Sequence, residues 1–306
     1  YIKNLKIITH SDLIGAKSDS DATPILQQLY MSLVGAVAYA LLTRVDAAVF
    51  VAALQRHTQQ CKIIHIKRLN VIVRWLQSKP QSLIYKLMSI VNFTHLRCIS
   101  DSAFKREEDC GHAVKGAIFL RCETTLTADK EVSAIIANCH ILDYYCKKQR
   151  HVTRSTFGAE LFGVCDAADQ GMQLCQILHE VTHGACTHAQ ARSLREKGGW
   201  NTVMVLALDA MFVFAAITAG NVKELAERAL YNHLLYIREL LDTNVLHSLW
   251  WIDTRDMTAD GLIKGNVDRA LIHAVMSGIN QLVHKESLKV WRSKQAANPL
   301  RFDNDL

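Results

Sequence analysis

Proline is nearly absent, with 3 in 306 residues, and glycine reaches only 14. Collagen-like and linker-dominated architectures are thereby excluded. No two of the 9 cysteines stand in Cys-x-x-Cys spacing, which removes a zinc ribbon or a thioredoxin-type redox motif. Their odd number and scatter do not make a secreted disulfide framework, so reduced thiols in the cytosol or nucleus are expected, not secretion. Clean long hydrophobic runs are missing too. Residues 33–54 are interrupted by Arg44 and Asp46, and residues 203–219 carry Asp209. A charge at a bilayer centre costs about 2.5–3.5 kcal/mol on insertion scales, so both runs read as core elements, with no membrane partner. No signal peptide opens the chain at Tyr1, and a piece of a longer polypeptide is the simplest expectation.

Half of the residues are hydrophobic and 21% are charged, with a net charge of +6. That fits a packed chain of one or two domains and is compatible with a polyanionic partner. Residues 1–29 are polar and poorly periodic. Helical spacing begins at Tyr30, continues through Leu33, Val37 and Leu41 and a basic stretch from Lys62 to Arg74, and stops at Lys79-Pro80. The basic faces there suit solvent or a nucleic-acid backbone. From Leu96 the texture changes to short apolar runs, predicting strands over 96–104, 113–122 and 140–146, with 132–137 a strand or short helix. The hydroxyl of Ser155 or Thr156 caps a long amphipathic helix through Phe157, Leu161, Val164, Ala168, Met172 and Leu178. A buried strand over 203–208, a helix over 223–241, a strand over 248–252 and a helix from Thr258 complete the pattern. Strands followed by strand–helix alternation predict a mixed sheet covered by helices.

Four acids stand where burial pressure would not put them. Asp101 lies within the first strand, Glu160 in the first turn of the long helix, Asp209 at the end of the most apolar strand, and Asp260 at the start of the last helix. Each has an ordinary explanation as a strand end, a turn or a helix-dipole partner. A buried ionised carboxylate must nevertheless be paired, hydrogen-bonded or metal-bound. Converging carboxylates without His or Cys suit Mg²⁺ or Mn²⁺, and two such ions about 3.5–4 Å apart can clamp both oxygens of a phosphoryl transfer.

Tyr30-Met-Ser-Leu-Val-Gly35 with Thr43-Arg44-Val45-Asp46 is similar to the Tyr-x-Ser-Leu-Val-Gly…Thr-Arg-Pro-Asp of the Pol polyprotein of copia-type LTR retrotransposons. The chain resembles the C-terminal part of that polyprotein, the end of the reverse transcriptase followed by its ribonuclease H domain. Lys67-Arg68…Arg74-Trp75-Leu76 is similar to its Lys-Arg-x-x-Arg-Tyr-Leu helix. Ser100-Asp101-Ser102-Ala103-Phe104 resembles the motif around its first catalytic acid. Cys146-Lys-Lys-Gln149 through Ala159-Glu160 resembles the stretch carrying the second. Leu208-Asp209 stands at the third, Ile237-Arg238-Glu239 matches a helix, and Trp251-Ile-Asp-Thr-Arg-Asp256 through Ala259-Asp260 and Lys264 resembles the fourth region.

The resemblance implies an α/β, RNase H-like mixed five-stranded sheet flanked by helices over residues 96–265. It also implies a helical remnant of reverse transcriptase over 1–95, with 266–306 left as a partly helical tail. The implied activity is two-metal hydrolysis of the RNA strand of RNA–DNA hybrids. Asp101 would bridge the two ions, Glu160 and Asp209 would complete the leaving-group site, and Asp260 would hold the ion that activates water. The implied partners are the hybrid and the rest of the polyprotein, namely its reverse transcriptase palm and integrase, in a cytoplasmic particle or the nucleus. Lys147, Lys148, Arg150 and Arg154 form a basic patch leading to Glu160, suited to a phosphate backbone or simply to solvent.

Several residues depart from the family. Ala210-Met211-Phe212 replaces polar residues after the third acid, Gly158 replaces an acid, Ile263 replaces a Thr, and residues 123–138 look inserted. No Tyr-x-Asp-Asp polymerase signature occurs in the chain. A catalytically decayed hybrid-binding module is therefore the alternative. His179-Glu180-Val181-Thr182-His183 matches the zincin pattern, with Cys186 and His188 nearby, and offers a zinc hydrolase as a second rival.

Overall fold

The computed structural model describes residues 1–88, 94–104, 113–123, 135–150, 152–219 and 228–294. The charged turn at 105–109 and most of the stretch expected to be inserted lie outside them.

The first helix, α1 (Pro24–Ala40), starts before the apolar periodicity does. Thr23 accepts a hydrogen bond from the Leu26 amide, and Pro24 takes the first turn, where its missing N–H leaves nothing unsatisfied. With α2 (Ala48–Gln55) and α3 (Ile63–Ser78) it encloses a core of its own, in which Val34, Val37, Val51, Ile66, Leu69 and Val73 meet. Tyr30 is fully buried because its hydroxyl donates to the Leu54 carbonyl at 2.7 Å.

The sheet is built from β1 (Thr94–Ala103), β2 (Val114–Glu123), β3 (Ile135–Lys148), β4 (Val203–Leu208) and β5 (Ser248–Trp251) in the order β3-β2-β1-β4-β5. The first three are antiparallel neighbours, while β1–β4 and β4–β5 run parallel. A parallel step needs a crossover. Into β4 it is supplied by α4 (Thr156–His183), capped by the Ser155 hydroxyl, and by α5 (His188–Lys197). One face of β1 packs Leu96 and Cys98 under α4, and the other carries Ile99 into a second apolar cluster with Val205, Trp250 and Met276. Gly163 lets α4 approach closely, since a Cβ there would lie 2.5 Å from the Ser102 hydroxyl.

The α/β, RNase H-like arrangement expected from the sequence is present, with differences at its margins. From Ile135 the two candidate elements at 132–137 and 140–146 run together as one strand, β3, paired with β2 from Cys139 to Lys148 across a register shift between Phe119 and Leu120. The polar stretch after His183 contains α5, because Thr187 and Gln190 cap each other's backbone amides in a capping box. After Asp209 the apolar run turns into α6 (Met211–Thr218), and α7 (Tyr231–Asp242) covers part of the helix expected over 223–241, of which 223–227 lie outside the described residues. The helix opened by Asp260 is the single turn α8 (Asp260–Ile263), and it is followed by α9 (Ala270–Met276). The tail also adds two edge strands, β6 (Ile279–Leu282) on β3 and β7 (Lys289–Trp291) on β5, extending the sheet to seven. Among the described residues no helix is long and apolar enough to cross a membrane.

Candidate metal centre

Parallel pairing brings the first and third acids together. Ile99 of β1 is opposite Ala207 of β4, so two further residues along each strand reach Asp101 and Asp209 at the same edge. Asp260 arrives from α8, which packs on β1 and β2. One carboxylate oxygen from each of Asp101, Asp209 and Asp260 lies within 4.8 Å of the others. Glu160 is outside that grouping, and because α4 is capped at Ser155 it stands in the second turn, not the first, with its buried carboxyl facing the same charges.

The electrostatics are those of crowded acids. Burial, then Asp101 and Asp209, raises the Glu160 pKa to about 9, against partial relief from Lys264 and the Ser102 amide. Burial and Asp101 raise that of Asp260 to about 7, while Lys264 opposes. Asp209 is also pushed up, by burial first and Asp101 second, with Thr254 acting the other way. Like charges held this close favour retaining protons unless a cation is present.

One cation belongs to the chain. Lys264 Nζ stands 2.5 Å from Asp260 Oδ1 and 3.1 Å from Asp101 Oδ2. Burial alone would lower its pKa, but Asp101 and Asp260 outweigh that and keep it charged. Asp101 Oδ1 accepts from the Ser102 amide at 2.8 Å. Asp101 Oδ2 is buried and, despite the ion pair, accepts no hydrogen bond of good geometry. An all-oxygen donor set whose buried Asp101 Oδ2 already attracts an ammonium fits a hard divalent ion.

The basic residues divide. Lys147, Lys148 and Arg150 line one cleft of about 390 Å³ together with Lys115, Gln149, Phe162, Asp166 and Gln170. Arg154 is exposed in the turn before α4 and does not line that cleft. Lys115 was not legible as a site residue because it reads as an ordinary strand position. Its signal is register, since it sits opposite Lys147 across β2 and β3. Lys115 is ion-paired with Asp166, and burial, then Lys147 and Arg150, lowers its pKa to about 8. Gln149 joins the cleft to the acids by donating to the Ser102 hydroxyl at 3.4 Å and the Ala159 carbonyl at 2.7 Å. Phe157, three residues before Glu160, and Phe212, three residues after Asp209, place their rings 6.1 Å apart, with Phe212 47% exposed.

The zincin-like pattern does not assemble. His179 and His183 stack on each other at 4.5 Å, His179 Nδ1 accepts from the Asn201 amide, and Glu180 accepts from Gln176. Among the described residues, the three aspartates form the only grouping of possible metal ligands, so the zinc hydrolase expectation is corrected here. The motif closes α4, where the Gly184 amide donates to the Glu180 carbonyl, and among the described residues no third ligand joins it.

No protein-family model matches the chain, and no curated protein matches it. Among solved structures it is similar to the N-terminal RNase H domain of Rv2228c from Mycobacterium tuberculosis, determined as a fusion with maltose-binding protein. The identity is 15% and the TM-score 0.32, with 55% of this chain and 90% of that chain covered. So distant a likeness carries no argument about activity. The fold class rests on the strand order and crossovers given above.

Proposed function

We propose that this chain is a metal-dependent ribonuclease H that hydrolyses the RNA strand of RNA–DNA hybrids, of the type found at the C-terminal end of copia-like Pol polyproteins. The observation that carries the reading is the meeting of Asp101, Asp209 and Asp260 within 4.8 Å on an RNase H-like sheet, with the Glu160 carboxyl buried in the repulsive field of Asp101 and Asp209. Asp101, Glu160, Asp209 and Asp260 are the residues to hold two Mg²⁺ or Mn²⁺ ions. Bound divalent ions would activate water and neutralise charge on the phosphodiester.

The chain's own groups supply the rest. Asp101, deepest in the sheet, fixes the centre of the cradle through its bond to the Ser102 amide. Glu160 and Asp260 exchange their protons for cation binding, since both titrate far above ordinary carboxylates in its absence. Lys147, Lys148 and Arg150, with Lys115 behind them, hold the phosphate backbone of the duplex. The exposed face of Phe212, three residues after Asp209, offers a base or sugar a stacking surface. Selection of RNA rests on its 2′-hydroxyl and on hybrid groove shape. Residues 1–95 act as the helical remnant of a reverse transcriptase, and the natural setting is the polyprotein's particle or the nucleus.

The test is cleavage of a labelled hybrid in Mg²⁺ by the native chain and by Asp101→Asn. Cleavage by the first, with loss of cleavage but not of hybrid binding in the second, supports the reading. Binding without cleavage by the native chain points to the decayed module instead.

A further inference from the structure

The acid and the lysine that face each other at the metal centre share one fragile element. Asp260 opens α8 and Lys264 follows it directly, and α8 is a single turn. So short a helix does not hold its own geometry, because nucleation fixes several residues for one hydrogen bond. Its terminal carbonyls also need partners. Both come from one side chain: Arg269 donates to the carbonyl of Gly261 and, at 3.2 Å, to that of Lys264.

Arg269 is itself held by the N-terminal helices. Its guanidinium lies 4.8 Å from the centre of the Phe50 ring on α2. Gly265, next to Lys264, lies against the same ring, where an added Cβ would come 3.3 Å from Phe50 Cε1. Phe50 is in turn edge-on to Trp75 of α3 at 6.0 Å, and Trp75 carries the buried Arg44 on its face at 5.0 Å. Arg44 is locked by two hydrogen bonds of 2.9 Å to Asp46. A second strut joins Asp46 to His273 of α9 at 3.3 Å.

We propose that Phe50 and Arg269 are positioning residues for the metal centre, so that the N-terminal helices set its cation affinity by fixing the α8 turn. The inference rests on the metal-centre reading above. Cation–π and guanidinium–carbonyl contacts fix direction as well as distance, so losing them lets the Asp260 carboxylate wander while the apolar packing stays.

The experiment titrates the full chain with Mg²⁺ calorimetrically, for the native protein, Phe50→Leu, Phe50→Tyr and Arg269→Gln, and records the metal-free melting temperature of each. Phe50→Leu and Arg269→Gln should bind Mg²⁺ about three- to tenfold more weakly, within the range of one lost cation–π contact. Phe50→Tyr, which keeps the ring face, should bind as the native chain does. Native-like affinity in both Phe50→Leu and Arg269→Gln, with only the melting temperature lowered, overturns the proposal and leaves the metal reading intact. Failure of the native chain to bind Mg²⁺ overturns the metal reading, and the proposal with it. Should Phe50→Leu not fold, Arg269→Gln against Phe50→Tyr decides.

Discussion

Replacing Glu160 by Gln should stabilise the metal-free protein at neutral and alkaline pH. A buried carboxyl whose pKa rises from 4.5 to about 9 holds a proton in the folded chain that it loses in the unfolded one. Stability from that proton is complete below about pH 4.5 and is lost as the pH rises toward 9, at about 1.4 kcal/mol per pH unit. Between pH 5 and 7 the native chain should therefore lose about 2–3 kcal/mol through this group. Only 6% of Glu160 is exposed, so solvent does little to screen the effect. Gln keeps the shape, cannot ionise, and removes this part of the slope. Urea unfolding in EDTA at pH 5, 6, 7 and 8 reads the difference between the two proteins, and saturating Mg²⁺ should reverse its sign. Parallel pH profiles, or a Gln variant less stable than the native chain at pH 8 in EDTA, would refute the reasoning.

Gly116→Ala should act on the same centre from the sheet. Its Cβ would meet Ile263 Cγ2 at 2.6 Å and Leu262 Cβ at 3.2 Å, both on α8. We expect a loss of about 1–3 kcal/mol in urea unfolding and weaker Mg²⁺ binding in a calorimetric titration. Lys147→Ala and Lys148→Ala should each weaken hybrid binding for every sequence and reduce the slope of log affinity against log salt by about 1. Fluorescence anisotropy across salt concentrations reads this, and an unchanged slope assigns both lysines to solvent. His183→Ala should change neither hybrid cleavage nor bound zinc, measured by metal analysis after dialysis.

The central strands and the three aspartates that converge were legible because their signals are local. A buried β4 reads as an unbroken apolar run, and an acid at its end stands out against it. Asp101 and Asp209 meet through parallel register, which strand order alone foreshadows. The remainder depends on contacts no periodicity announces. β6 and β7 are only four and three residues long and exist through pairing with β3 and β5. Lys115 is an unremarkable strand lysine until β3 sets Lys147 opposite it. Arg269 lies outside every motif, and only the folded chain shows it closing the α8 turn over Phe50. The zincin pattern erred in the opposite direction: its spacing is local, but the ligand that would complete it is not.

Crystals of the full chain soaked in Mn²⁺ and measured at the manganese edge test the central claim most directly. Two anomalous peaks about 3.5–4 Å apart, sharing an Asp101 carboxylate between them, are what the account predicts. Manganese absent from the Asp101, Asp209 and Asp260 oxygens, or bound only at His179 and His183, would contradict it.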